Sequence, residues 1–149
     1  MELNKEKILF YQKNRDPFLM IDFVSDYFPG KFCNGYKVLK EDEWFFKVHW
    51  PDDPNMPGAL QIESLTQMGA LNILTLDGNA GKLVYVVAAD KIKYKKKIIP
   101  KDKLYIKTKL ISWKRNIGII NAESFVNDQP ACSGQFTMIL EDFINNNRN

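Results

Sequence analysis

The densest apolar pattern in the chain lies between Gly58 and Leu76, where apolar residues recur around nearly the whole circumference of a helix. Pro57 suits the first turn of that helix, because an N–H group there would have no intrahelical partner, and Asp77-Gly78-Asn79 supplies a stop signal. The pattern therefore predicts one long helix, about 28 Å from end to end at the usual rise per residue, that is buried on most sides.

Strand-like segments lie on both sides of this helix, and they span residues 18–28, 31–39, 45–46, 83–89, 104–110, 117–126 and 131–140. The 83–89 run is apolar throughout, which indicates a strand buried on both faces, whereas 104–110 alternates like a half-exposed strand. Turn residues at Pro29-Gly30 and Asn127–Pro130 predict two hairpins. This order of elements, strands before and after one long apolar helix, predicts an α+β fold in which a mostly antiparallel sheet wraps around the helix.

The two ends of the chain are expected to be peripheral. Residues 1–14 form an N-terminal arm with a short helix over 4–13, in which Asn4 is the cap and Ile8, Leu9 and Tyr11 point inward. The polar residues 143–149 are expected to fray. With no repeat and no linker in its 149 residues, the chain is predicted to be a single domain, 1–149.

Composition and charge narrow the function mainly by exclusion. No stretch approaches the roughly 18 apolar residues of a membrane span, and the N-terminus lacks a signal peptide, so a cytoplasmic location is expected. Cys33 and Cys132 are expected to be buried free thiols, and with a single histidine they argue against a metal centre. The formal net charge of +3 allows nucleic-acid binding, but no motif supports it.

The candidate chemistry lies in front of and within the long helix. His49 is the only histidine, and the proline-rich segment 50–57 places it on an irregular loop beside the helix N-terminus. Glu63 is the only charged residue on the helix, and burial favours the neutral carboxyl form that a general acid needs. The free backbone N–H groups of Gly58 and Ala59 can hold a developing oxyanion. Structural roles for a lone histidine or glutamate are the competing interpretation.

This stretch resembles the signature of 3-hydroxyacyl-acyl-carrier-protein dehydratases of the FabZ type, a phenylalanine-rich strand end, then G-H-F-P, then M-P-G-x-L-x-x-E-x-x-x-Q. The matching positions are Phe45, Phe46, His49, Pro51, Pro54, Met56, Pro57, Gly58, Leu60, Glu63 and Gln67. The segments Asn14–Asp22, Ala88–Lys95 and Ile98–Asp102 resemble the family's H-R-x-P-F-L-L-V-D, G-I-D-x-A-R-F-K and V-V-P-G-D in the same order. The resemblance therefore spans residues 8–141.

The resemblance implies a lyase with the hotdog fold that acts on a (3R)-hydroxyacyl chain carried by acyl carrier protein. His49 would remove the C2 proton, and Glu63 would help the C3 hydroxyl leave as water, giving a trans-2-enoyl chain. Gly58 and Ala59 would hold the enolate charge, while Gln67, one turn beyond Glu63, would orient the carboxyl group. A buried glutamine that only satisfies backbone groups is the alternative for Gln67. No metal or organic cofactor is implied.

The resemblance also implies an assembly in which two sheets join edge to edge and His49 of one chain meets Glu63 of the other. Such homodimers often form trimers of dimers, and the sequence does not separate a dimer from a hexamer. Val48 and Trp50 replace a glycine and a phenylalanine of the family, which leaves acyl-chain preference open. Val48 also leaves a second function open, a non-catalytic hotdog subunit that binds acyl carrier protein or pairs with a catalytic partner. Isomerisation is not expected, because the dehydratase-isomerase branch has aspartate at the Glu63 position.

A basic run follows the 83–89 segment. On a strand, Lys91, Lys93, Lys95 and Lys97 would share one face, opposite Ile92 and Tyr94. One interpretation is a solvated lysine face that protects a sheet edge. The other is a docking surface for an acidic carrier protein.

Overall fold

One antiparallel sheet curves around the long central helix, as the sequence predicts. The computed structural model describes residues 1–148. The elements are α1 (Lys5–Tyr11), β1 (Phe23–Phe28), β2 (Phe32–Val38), α2 (Trp44–Val48), α3 (Gly58–Leu74), β3 (Val84–Tyr94), β4 (Lys103–Lys114), β5 (Ile117–Val126), β6 (Gln129–Leu140) and α4 (Glu141–Asn146). The strand order of the sheet is β1-β2-β4-β5-β6-β3. Each pair of neighbouring strands is antiparallel.

Helix α3 fills the concave side of the sheet, and most of its side chains are buried. Gly69 lets the helix approach the sheet closely, because an added Cβ would lie 3.1 Å from Ile120 Cγ2. The buried amide of Asn72 donates to the Thr108 hydroxyl on β4 at 2.8 Å, which ties helix to sheet. The helix ends two residues before the predicted Leu76, since Thr75 is already its C-cap.

The hairpins and the alternating strand follow the sequence closely. Gly30 has φ of +73° in the β1–β2 turn, and Asn127 and Asp128 have φ of +50° and +62° in the β5–β6 turn. Such left-handed conformations are available to glycine and tolerated by asparagine and aspartate. The inward positions of β4 are buried as alternation predicts: Leu104, Ile106, Thr108 and Leu110.

The prediction that Phe45-Phe46 ends a strand is wrong. The two residues lie in helix α2, and both rings are buried. Successive strand side chains point to opposite faces, so a strand would bury only one of two adjacent rings against a single core. A short helix buries both, and it delivers the chain to His49 as the helix C-cap.

The prediction that residues 83–89 form a strand buried on both faces is also wrong. Strand β3 pairs only with β6 and forms one edge of the sheet. Tyr85, Val86 and Val87 are each exposed by 42% or more. Within residues 1–148 no element covers the outer side of this strand, which leaves an apolar sheet edge that is prone to pair with another strand.

Both ends of the described chain are held to the sheet. Leu3 forms a bridge with Val24 of β1. Asn4 then caps α1 by accepting a hydrogen bond from Lys7 N at 3.0 Å, as predicted. The tail, predicted to fray from residue 143, is instead helical to Asn146, because Glu141 accepts from Leu83 N at 3.1 Å and Asp142 pairs with Lys82 at the helix start. Asn149 lies outside the described residues. Across residues 1–148, every helix is too short or too polar to cross a lipid bilayer.

Candidate active site

His49 is held in one tautomer by the loop that follows it. Its backbone N–H donates to Phe45 O at 2.9 Å, and its Nδ1 lies 3.1 Å from the carbonyl oxygen of Asn55. A carbonyl oxygen can only accept, so Nδ1 carries the proton and Nε2 keeps its lone pair. Trp50 stacks on the imidazole with ring centroids 4.5 Å apart. The half-buried ring is therefore fixed with Nε2 as the basic nitrogen.

Three contacts hold the irregular loop that follows His49 in place. Asn55 is buried and its side chain donates to Asp53 O at 2.7 Å, while Met56 N donates to Ile98 O at 2.8 Å. Lys97 forms an ion pair with Asp53 at 2.6 Å. These contacts attach the His49 loop to the segment that joins β3 and β4.

The N-terminus of α3 presents free donors beside an aromatic ring. Pro57 caps the helix, and within residues 1–148 neither Gly58 N nor Ala59 N donates to an acceptor. The Tyr94 ring covers Gly58 so closely that an added Cβ would lie 3.0 Å from its carbon atoms and 3.1 Å from its hydroxyl. Gly58 is thus required here by close approach rather than by an unusual backbone angle.

Glu63 lies one turn further along α3, where Gln67 fixes its carboxylate. Gln67 Nε2 donates to Glu63 Oε1 at 2.9 Å and to Phe18 O at 2.9 Å. Gln67 Oε1 accepts from Met20 N at 2.7 Å. Because its amide is anchored to the segment that leads into β1, Gln67 orients a half-buried Glu63 and also satisfies backbone groups.

Glu63 and His49 line no common cleft within the described chain. Glu63 lines a cleft of about 300 Å³ between α3 and the start of β3, formed in part by Val84, Tyr85 and Val86. His49 does not line this cleft, and in the described chain no hydrogen bond joins the two side chains. The single chain therefore holds the two predicted catalytic groups in two separate surroundings, which are called half-sites below.

The lysine face contains three of the four lysines predicted for it and two lysines of β4. Lys91, Lys93 and Lys95 line a concavity of about 510 Å³ on the outer face of the sheet, together with Lys107 and Lys109 of β4. Lys97 lies beyond the end of β3 and pairs with Asp53 instead. The positive φ of Lys91, 56°, and the bulge between Asp90 and Lys93 interrupt the strict alternation on which the prediction rests.

The two cysteines take no part in either half-site. Both are free and buried, as the sequence predicts. Burial raises the pKa of the Cys132 thiol to about 11 and that of Cys33 further still. Neither is a thiolate at neutral pH, so neither supplies a nucleophile.

Two contributors to the half-sites escaped the sequence reasoning. Asn55 acts on His49 through a backbone carbonyl, which no side-chain pattern reveals. Tyr94 covers Gly58 from a strand far along the chain. Its position in the segment that resembles G-I-D-x-A-R-F-K was the available signal, since that block accompanies the histidine and glutamate blocks.

A sheet of this topology around one buried helix defines a hotdog-fold protein. The loop that carries His49 and the carboxylate of Glu63 on that helix equip it for acid–base chemistry. The chain belongs to the FabA-like family, because the family model for a FabA-like domain matches residues 13–135.

Relatives and solved structures agree with this assignment. The chain is 37% identical over 140 residues to the 3-hydroxyacyl-acyl-carrier-protein dehydratase FabZ of Syntrophomonas wolfei, covering 94% of this chain and 97% of the relative. It is 39% identical over 127 residues to FabZ of Natranaerobius thermophilus, covering 85% and 89%. The dehydratase heterocomplex ApeI:P of Xenorhabdus doucetiae superposes with a TM-score of 0.76 over 95% of this chain and 97% of that chain. At 12% identity, this last likeness shows the fold alone.

Proposed function

We propose that the protein is a 3-hydroxyacyl-acyl-carrier-protein dehydratase. It removes water from a (3R)-hydroxyacyl thioester and releases the trans-2-enoyl thioester. The names of relatives that match over most of the chain support this function. The structural observation that carries it is the hydrogen bond from His49 Nδ1 to Asn55 O, since it leaves Nε2 free to act as a base. A non-catalytic subunit would have no need of an imidazole held in this tautomer.

The mechanism uses only side chains and backbone donors of this chain. His49 Nε2 takes a proton from C2, which the thioester carbonyl makes acidic, and the electron pair of that C–H bond forms the C2–C3 double bond as the C3–O bond breaks. Negative charge that develops on the thioester oxygen is stabilised by the N–H groups of Gly58 and Ala59. The protonated Glu63 carboxyl donates its proton to the departing hydroxyl, which leaves as water. The proton gained by His49 returns to Glu63 through solvent before the next turnover.

This mechanism requires two copies of the chain. His49 and Glu63 lie in separate half-sites, and β3 residues line the cleft beside Glu63. A second copy that pairs along the exposed apolar edge of β3 covers Val86 and Val87 and closes the same cleft. We therefore assign each complete site to His49 of one protomer and Glu63 of the partner subunit. Assembly beyond a homodimer, as a trimer of dimers, is a further part of the proposal.

The carrier protein is proposed to dock on the lysine face. Lys91, Lys93 and Lys95 lie with Lys107 and Lys109 around one concavity on the outer face of the sheet. Glu123 is the one acidic residue in its lining, so positive charge is in excess there. An acidic carrier protein would be steered to this surface by complementary charge. Lys97 serves the His49 loop instead, through Asp53. Under the competing interpretation the lysines only keep the face solvated, and their removal leaves carrier recognition unchanged.

Complementation between two inactive variants tests the function and the shared site together. His49→Ala and Glu63→Gln should each lower the rate of hydration of a crotonyl carrier-protein thioester by about a hundredfold or more, because each removes one proton-transfer group. When the two variants are mixed and allowed to exchange subunits, hybrid dimers regain one intact site and activity returns. Wild-type rates in either single variant would reject the catalytic pair, and a mixture that stays inactive despite exchange would reject the shared site.

A further inference from the structure

The indole ring of Trp50 lies nearly flat against the imidazole ring of His49. The two ring centroids are 4.5 Å apart, and the ring planes differ by 17°. Trp50 is 55% exposed, so burial in the core does not explain a side chain of this size at this position. The contact with His49 is therefore the feature that indicates what the ring does.

His49 is placed without a carboxylate beside it. Its Nδ1 donates to the carbonyl oxygen of Asn55, which is an uncharged acceptor. Within residues 1–148 every ion pair joins other groups, and Asp53, on the same loop as His49, pairs with Lys97. Inside its own chain, His49 thus depends on uncharged neighbours, the Asn55 carbonyl and the Trp50 ring, to stabilise a positive charge.

A stacked indole stabilises the two protonation states of His49 unequally. The π face of tryptophan carries partial negative charge and attracts a cation that lies within about 6 Å of the ring centroid. In the proposed reaction, His49 is neutral when the substrate binds and becomes an imidazolium as it takes the C2 proton. The stack is therefore stronger in the transition state than in the ground state, and an interaction of that kind raises kcat.

We propose that Trp50 is a positioning residue for the dehydration, and that its ring face stabilises the imidazolium form of His49 in the place where a carboxylate could otherwise do so. The inference rests on the proposed dehydratase function, because it requires His49 to gain a proton during turnover. Trp50 acts through His49 and makes no contact with the reacting atoms.

The first test separates the ring face of Trp50 from its bulk. Trp50→Leu keeps an apolar side chain and removes the ring, whereas Trp50→Phe keeps a smaller ring. With a 3-hydroxyacyl carrier-protein thioester, Trp50→Leu should lower kcat by about threefold to thirtyfold and leave KM nearly unchanged. Trp50→Phe should retain most of the wild-type kcat. Phe10→Leu makes the same kind of change on an exposed ring of α1 and should alter neither constant.

The second test changes the charge of the ring face and keeps its shape. Tryptophan analogues that carry progressively more fluorine atoms on the indole ring are incorporated at position 50, and each added fluorine makes the face less negative. The logarithm of kcat should fall steadily along this series, because the attraction for the imidazolium weakens at each step. A ring that only packs against His49 would give the same kcat throughout the series, and that result would overturn the proposal.

The stack itself is checked by NMR, since the chain has a single histidine and its imidazole signals are free of overlap. The ring current of Trp50 should move the His49 ring protons upfield, and Trp50→Leu should abolish this shift. Absence of the shift in the wild type would overturn the proposal. Because Trp50 is more than half exposed, its variants should melt close to the wild-type temperature, so a changed kcat is not explained by unfolding.

The rate measurements also separate this inference from the function on which it rests. If the wild type dehydrates the thioester but Trp50→Leu and Trp50→Phe have equal kcat, the inference is wrong and the dehydratase proposal stands. A raised KM with an unchanged kcat in Trp50→Leu would assign the ring to substrate binding and likewise overturn the inference. If the wild type turns over no 3-hydroxyacyl thioester, the dehydratase proposal fails and this inference fails with it.

Discussion

Gln67 couples the stability of the fold to the orientation of Glu63, and one substitution can measure both. Its amide makes three hydrogen bonds, to Phe18 O and Glu63 Oε1 at 2.9 Å each and from Met20 N at 2.7 Å. Gln67→Met keeps a side chain of similar length and shape and removes all three. The Met20 N–H, which is buried, and Phe18 O, which is partly buried, then lose their partners.

The magnitude of the effect can be worked from those lost partners. An orphaned buried backbone group costs about 1–3 kcal/mol, so the free energy of unfolding should fall by about 2–4 kcal/mol for the two. Glu63 keeps its place on α3 but loses the donor that orients it. We expect kcat to fall by about tenfold to a hundredfold, because loss of alignment alone can cost that much.

Urea unfolding followed by circular dichroism measures the first effect, and initial rates on a hydroxyacyl thioester measure the second. Gln61→Met is the matched control on the same helix, since the Gln61 amide makes one longer hydrogen bond, 3.3 Å to Met56 O, and its oxygen is unpaired. The control should lose no more than about 1 kcal/mol. Equal destabilisation of the two variants, or an unchanged kcat in Gln67→Met, would show that the Gln67 amide does not have this double role.

The helix N-terminus, the lysine face and the thiols can each be tested by a single change or reagent. Gly58→Ala places a methyl group 3.0 Å from the Tyr94 ring, so kcat/KM should fall about tenfold. Adding Tyr94→Ala to this variant should restore part of the lost activity in the same rate assay. Lys93→Glu should raise KM for carrier-protein thioesters but not for pantetheine thioesters, whereas Lys7→Glu on α1 should change neither. Because burial raises the pKa of Cys132 to about 11, native protein at neutral pH should resist thiol-disulfide reagents until it is unfolded.

The parts of the fold that the sequence predicts well are those whose signal is local. Helix α3 combines a continuous apolar surface with a proline at its start, and both hairpins carry turn residues suited to a left-handed backbone. Strand β4 alternates because one face packs on α3 and the other meets solvent. In each case the signal lies within the element itself, so the local residue pattern is enough to predict which residues are buried.

The errors arise where burial depends on something beyond the local pattern. Residues 83–89 are apolar enough for a central strand, yet β3 lies at the edge of the sheet. The prediction failed because an apolar run does not show how many strands of the same chain lie beside it. The lysine face does not include Lys97 because β3 ends at Tyr94 and Lys97 pairs with Asp53 on the His49 loop. Phe45 and Phe46 were assigned to a strand because two adjacent aromatic residues carry no period at all.

The catalytic roles of His49 and Glu63 are still predictions, and so is their division between two chains, which the family resemblance implies. The spacing of His49, Gly58 and Glu63 by itself only places all three around one helix start. In the structure each reacting group is fixed by its own contacts, His49 by the Asn55 carbonyl and Glu63 by Gln67. Each group is therefore held in place by contacts within its own chain. The exposed apolar residues of β3 then have one physical explanation, since the edge that would hold two copies together also borders the cleft in which Glu63 lies.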